Sequence, residues 1–169
     1  MPTTLLLTRH GETVDNQQRI MQGQTPGRLN DTGIRQAEHL RQELLSTPID
    51  AIVASDLQRA VDTAHILARG RRLAVHTTPL LRERDWGSFT GRYIPDLQGL
   101  TWPDDIETLD TLQNRARTFL DHIRRTYPGK CVLAVGHGII NKAIQAVYYN
   151  KAMKDVPPMV NCEVRRLLL

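Results

Sequence analysis

Leu5-Leu6-Leu7-Thr8-Arg9-His10-Gly11-Glu12-Thr13 places an Arg-His-Gly triplet where an apolar run gives way to polar residues, the pattern of a short buried strand that ends there. Strands of parallel sheets read as near-continuous apolar runs, and open α/β folds bind ligands in the crevice beyond the carboxyl ends of their strands. His10 therefore stands where a site residue would stand. Arg9 offers a fixed planar charge suited to phosphate, and His10 an imidazole usable as nucleophile or as acid-base group. Gly11 is a position at which backbone can approach a ligand closely. Taken alone, the triplet reads more simply as a strand end carrying an incidental surface histidine.

Two further units repeat the pattern. Cys131-Val132-Leu133-Ala134-Val135 ends on Gly136-His137-Gly138 and leads into an amphipathic segment from Ile139 to Tyr149. Ala51-Ile52-Val53-Ala54 is followed by Ser55-Asp56-Leu57-Gln58-Arg59-Ala60, in which Ser55 and Gln58 have the spacing of a capping box and Arg59 falls in the first helical turn. A cation there adds to the positive end of the helix dipole, which opposes folding alone but suits a bound anion. Three strand ends delivering His10, His137 and Arg59 together outweigh the incidental reading.

The rest of the chain fits this organisation. A length of 169 residues is one domain's worth of chain. Hydrophobic content of 40% and charged content of 24% are those of an ordinary globular protein and argue against disorder. The formal charge of +4 favours anionic ligands, yet Arg69, Arg71 and Arg72 read as a solvated connection, because no aromatic residues interleave them as a nucleic-acid surface would require. Cys131 and Cys162 have neither metal-site nor redox-pair spacing and read as buried free thiols. The start Met1-Pro2-Thr3-Thr4 lacks the features of a secretory signal, and no apolar run is long enough to span a membrane, so a cytoplasmic setting is expected. Periodicity predicts strands over residues 3–8, 51–54, 73–77, 131–135 and 163–169, and helices over 32–46, 56–68, 108–127 and 138–150. Such alternation implies an α/β fold with a mostly parallel sheet covered on both faces.

The ordered blocks Arg9-His10-Gly11-Glu12-Thr13, Asn16, Met21-Gln22-Gly23 and Leu29-Asn30-Asp31-Thr32-Gly33 carry a resemblance that continues through Ser55-Asp56-Leu57-Gln58-Arg59-Ala60 and Leu81-Arg82-Glu83. Trp86-Gly87-Ser88-Phe89-Thr90-Gly91, Val135-Gly136-His137-Gly138 and Asn161-Cys162 complete it. Together they resemble the histidine phosphatase superfamily, also called phosphoglycerate-mutase-like, and within it the small broad-specificity and α-ribazole-phosphate-type phosphatases. The resemblance implies a three-layer αβα sandwich with one antiparallel edge strand, and a metal-independent hydrolase that uses no cofactor and acts on a small phosphorylated substrate. It implies that His10 is the nucleophile that becomes phosphohistidine, that His137 donates to a phosphoryl oxygen, and that Arg9 and Arg59 hold the phosphate. Glu83 stands at the position of the general acid.

These assignments agree with residue chemistry. Two guanidinium groups near His10 disfavour its imidazolium and so keep the attacking nitrogen bare. Glu83 lies in the charged run Arg82-Glu83-Arg84-Asp85, where arginines oppose its protonation and where Asp85 is a rival for the role. Asn16 and Gln22 offer amide donors and Gly23 a backbone donor for the remaining phosphate contacts. Glu12 and Thr13 read as loop-shaping residues, and Trp86 and Phe89 as either entrance or core. Residues 1–169 are expected to form a single domain in which a lid insertion, around 92–106, is short compared with many relatives. A short lid weighs against the alternative of a phosphoglycerate mutase, which must shield its phosphoenzyme from water. An alternative of another class is a non-catalytic module that binds a phosphorylated ligand.

Overall fold

A computed structural model describes residues 1–169. The strands are β1 (Thr4–Arg9), β2 (Ala51–Ser55), β3 (Val75–Thr78), β4 (Cys131–Gly136) and β5 (Val164–Leu168), and they form one sheet of order β3-β2-β4-β1-β5. β1 runs parallel to β4 with Leu6 opposite Leu133 and Arg9 opposite Gly136, while β2 runs parallel to both β4 and β3. β5 is the antiparallel edge strand, paired with β1.

Successive side chains of a strand point to opposite faces, and the apolar runs therefore feed two cores. Leu5, Leu7, Val132 and Ala134 pack against Phe119 and Ile123 of α4 (Leu109–Thr126) and Ile140 and Ile144 of α5 (Gly138–Tyr149). Leu6, Ile52, Leu133 and Val135 pack on the other face against Leu40 of α2 (Asp31–Glu43) and Ala60, Ala64 and Leu67 of α3 (Gln58–Ala68). α4 is amphipathic by the same logic: Leu112, Ala116, Phe119, Leu120 and Ile123 recur at helical spacing, and the Thr108 hydroxyl caps the first turn by accepting from the Thr111 amide. The result is the three-layer αβα sandwich. After β1 the chain crosses to the face of α2, and after β4 to the face of α5, so a crevice opens between the carboxyl ends of these neighbouring strands.

Several local expectations are corrected. Ser55 and Gln58 do not form a capping box. Ser55 is the last residue of β2, and the N-cap of α3 is Leu57, which has no side-chain cap. The expected strand over 73–77 pairs only from Val75, opposite Ile52, and β5 begins at Val164 because Cys162 turns the chain with φ 60°. Arg71 is not merely solvated, since its guanidinium donates to the carbonyls of Leu44 and Thr47 and ties down the end of α2. Cys131 and Cys162 are free but half-buried, not buried. A five-residue helix, α1 (Val14–Gln18), follows the Arg-His-Gly triplet and was not foreseen. It is closed by Thr13 and Asn16, each side chain bonding the other's backbone. No helix is long and apolar enough to cross a membrane.

Candidate active site

The carboxyl ends of β1 and β4 deliver His10 and His137 side by side, their ring centroids 5.0 Å apart. The His10 amide donates to the Gly136 carbonyl at 3.1 Å, and the Asn161 side chain donates to the His10 carbonyl at 2.9 Å, so the backbone is held from both sides. The ring is 2% exposed, with Nδ1 lying 2.7 Å from the Gly11 carbonyl. A carbonyl oxygen only accepts, so Nδ1 carries the proton and Nε2 is left with its lone pair. Arg59 Nε approaches that lone pair at 3.3 Å. Burial, and then the Arg59 charge, hold His10 well below the ordinary histidine range and keep it neutral at pH 7.

Arg59 does two things. Its Nη1 and Nη2 donate to the carbonyls of Thr25 and Gly23, and its backbone amide donates to Pro26, so this 1% exposed side chain anchors the loop that faces it. Only Nε turns to His10. Burial lowers the guanidinium to about 10, which leaves it charged at neutral pH. Gly27 is required beside it: with φ 70°, a Cβ there would lie 2.8 Å from Arg59 Cδ. Arg9 donates through Nη1 to the Met159 carbonyl at 2.9 Å, while its buried Nε has no partner within the protein.

His137 is fully buried and does not itself line the cleft, whereas the residues that follow it, Gly138 and Ile139, do. Its Nε2 lies 2.8 Å from the Ser55 hydroxyl, and its Nδ1 is a second buried atom without a protein partner. Burial, and then Arg59, keep this ring neutral as well.

Glu83 borders the same cleft, and Asp85 does not: Asp85 is exposed and accepts from the Gly87 amide. The Glu83 carboxylate sits at the start of α5, where Oε1 accepts from the amides of Arg84, Ile139 and Ile140. Oε2 shares only the Ile139 amide and lies toward Arg9. A Cβ on Gly138 would be 3.7 Å from Oε2 and 3.6 Å from Arg9 Cζ. The segment carrying Glu83 is itself held by Arg115 of α4, which donates to the carbonyls of Leu80, Arg82 and Glu83 and pairs with Glu107 at 2.8 Å. Nothing in the sequence pattern marks Arg115, because three of its four partners are backbone carbonyls.

The cleft has a volume of about 310 Å³. Asn16, Gln22 and Gly23 line it. Gln22 accepts from the Thr13 hydroxyl at 2.9 Å, and Gly23 turns with φ 52° while its carbonyl receives Arg59. Glu12 and Thr13 do shape the loop, by bonding Asn30 and Gln36 and by capping α1. Gly11 is explained differently from its expected role. Its missing side chain makes room for the protein's own backbone, since a Cβ there would lie 2.5 Å from the Gly33 carbonyl. Trp86 lines the entrance, whereas Phe89 is core, packed with Leu97 and Ile106. Ile94 and Lys142 also border the cleft and were not singled out from sequence. No group of three or more His, Cys, Asp or Glu side chains is arranged to hold a metal ion.

The chain is also similar to known proteins. The description of the histidine phosphatase superfamily (branch 1) matches residues 5–168. A Bacillus subtilis (strain 168) protein named as the uncharacterized phosphatase PhoE is 37% identical over 140 residues, which is 80% of this chain and 72% of that one. The metal-independent phosphoserine phosphatase of Arabidopsis thaliana is 32% identical over 160 residues, 84% of this chain and 67% of that one. The solved structure of Bacillus stearothermophilus YhfR matches with a TM-score of 0.90 at 29% identity, over 97% of this chain and 90% of the other.

Proposed function

We infer that this chain, a member of the histidine phosphatase superfamily, hydrolyses small phosphate monoesters through a phosphohistidine on His10 and without a metal ion. The observation that carries the reading is the state of His10: Nδ1 is tied to the Gly11 carbonyl and Nε2 is bare and beside a guanidinium. In the first half-reaction Nε2 forms a bond to phosphorus as the P–O ester bond breaks, and the alcohol leaves with a proton supplied from Glu83 Oε2. In the second, water gives a proton back to Glu83 and attacks phosphorus, the N–P bond breaks, and inorganic phosphate is released. Arg9 Nε and His137 Nδ1, both buried and unpartnered, are the donors available to the phosphoryl oxygens, with Asn16, Gln22 and Gly23 at the edge. Fixed donors of this kind supply charge stabilisation without reorganisation during the reaction.

The same reading treats residues 92–106 as a shortened lid on a single domain, with Ile94 as its contact to the cleft. It also places the protein in the cytoplasm, where unpaired thiols such as Cys131 and Cys162 persist. The test is to mix enzyme with a phosphate ester, quench in alkali and measure intact mass. One added phosphoryl group is expected on the wild type and none on His10→Ala, with inorganic phosphate as the product. Phosphoryl transfer that requires bisphosphoglycerate would replace hydrolysis by a mutase activity, and ligand binding without phosphorylation would leave only a binding module.

A further inference from the structure

Ser55 belongs to a different strand from His137, yet its hydroxyl is 2.8 Å from His137 Nε2 and both residues are fully buried. The hydroxyl oxygen already accepts the Leu57 amide at 3.2 Å. A buried O–H requires an acceptor, and His137 Nε2 is the one hydrogen-bond neighbour of the Ser55 hydroxyl that can accept, since the Leu57 amide only donates. Ser55 therefore donates to Nε2, which obliges the neutral ring to carry its proton on Nδ1. Nδ1 is the atom left without a partner.

We propose that Ser55 is a positioning residue that fixes His137 as the Nδ1–H tautomer, so that the histidine presents a donor and not a lone pair to the transferring phosphoryl group. The opposite tautomer would aim a lone pair at phosphoryl oxygens and repel the charge that develops on them. The chain builds this device from the end of β2, next to α3, which also supplies Arg59; one short segment thus sets both the loop anchor of the site and the proton position on its second histidine. The proposal rests on the phosphoryl-transfer reading above for its purpose, but the tautomer itself does not.

¹⁵N-edited NMR of the ligand-free protein separates the two, with the His137 ring assigned by its loss in His137→Gln. A protonated Nδ1 and a bare Nε2 are expected. A protonated Nε2 overturns the proposal, whether or not His10 is ever phosphorylated and whether or not any Ser55 variant folds. In Ser55→Ala, kcat is expected to fall about 10- to 100-fold, somewhat less than removal of an oxyanion donor outright, with KM within about twofold. Vanadate, which adopts the geometry of the transition state, should lose affinity in step with kcat, while inorganic phosphate should change less than about threefold. Unchanged kcat, or equal weakening of vanadate and phosphate, overturns the proposal in favour of a packing role.

Discussion

At the floor of the cleft His10 and Arg59, with His137 packed beside His10, are each exposed by 2% or less and held by bonds to backbone or to a second buried side chain, whereas the rim is made of half-exposed or exposed Ile20, Met21, Trp86, Ile94 and Lys142. The floor stands on strand ends and on the first turn of a helix, whose backbone is tied into the sheet and its covering helix by hydrogen bonds. The rim comes mostly from short 3₁₀ turns and loops that carry their own small apolar cluster of Phe89, Leu97 and Ile106. Reacting groups need fixed geometry, and leaving-group recognition tolerates variation, so the two ends of one cavity are built to different standards of rigidity. Substitutions at the floor are therefore expected to alter kcat, and those at the rim KM and substrate preference.

The largest effect is expected at His10. His10→Ala removes the nucleophile, and turnover should fall by at least about 10³-fold while circular dichroism and the thermal transition remain those of a folded protein. Residual hydrolysis at more than a tenth of the wild-type rate would show that the floor does not perform the chemistry, and the comparison between floor and rim would lose its basis.

Glu83 stands between the two regions and sharpens the boundary. Glu83→Gln should slow esters of ordinary alcohols by about 10²- to 10⁴-fold and p-nitrophenyl phosphate far less, because nitrophenolate departs without a proton. Equal losses on both substrates would assign Glu83 to holding the start of α5, where Oε1 already receives three amides. Asp85→Gln should leave both rates unchanged, since Asp85 is exposed and bonded to Gly87.

Burial of two neutral histidines at the floor also predicts how stability depends on pH. Both have folded-state values well below the ordinary 6.5, so below that pH the unfolded chain takes up protons that the folded chain refuses. Stability is therefore fully present above about pH 6.5 and is lost as pH falls from there toward the depressed folded values. Two such groups give a limiting slope of about 2.7 kcal/mol per pH unit, or about a hundredfold in the folding constant. Denaturant titrations at several pH values should show stability falling toward that slope as pH drops below about 6.5, and the fall should flatten when His10 and His137 are both replaced by Gln. An unaltered slope in the double variant would attribute the acid sensitivity to other groups.

What could be read from the sequence follows the same division. Strands β1, β2 and β4 were legible because sheet burial on both faces demands apolar runs, and the residues at their ends, Arg9, His10 and His137, stood out as polar groups interrupting those runs. Arg59 was legible as a cation in a first helical turn. Ser55 was placed correctly but given the wrong work, because capping-box spacing is also satisfied by a strand end followed by a two-residue turn; only the third dimension brings β4 and its histidine beside it. Gly11 was likewise noticed for the wrong reason, since the group it admits is the Gly33 carbonyl, 22 positions away. Arg115 and Lys142 were missed because each lies on an amphipathic helix, where a charged residue reads as solvent-facing by default.

The smallest predicted effect tests the rim alone. Lys142 is one helical turn beyond Gly138 on the same face of α5, so it overlooks the place where Arg9 and Glu83 approach each other. It borders the cleft and has no carboxylate within ion-pair distance. Arg9 and Arg59 already offset the two charges of a phosphate dianion, which leaves the lysine to favour a further anionic group, such as a carboxylate, on the leaving alcohol. An ion pair at a partly exposed position is worth about 1 kcal/mol, so Lys142→Ala should raise KM about fivefold for a carboxylate-bearing phosphate ester, with kcat unchanged and the difference shrinking as salt is added. Glycerol phosphate, whose leaving group is neutral, should show no change. If the variant instead lowers kcat on both substrates, Lys142 acts on the floor and the rim is not an independent region. If KM stays fixed for both, leaving-group charge is not read on this wall of the cleft, and the apolar side chains of Ile94 and Trp86 become the residues to vary next.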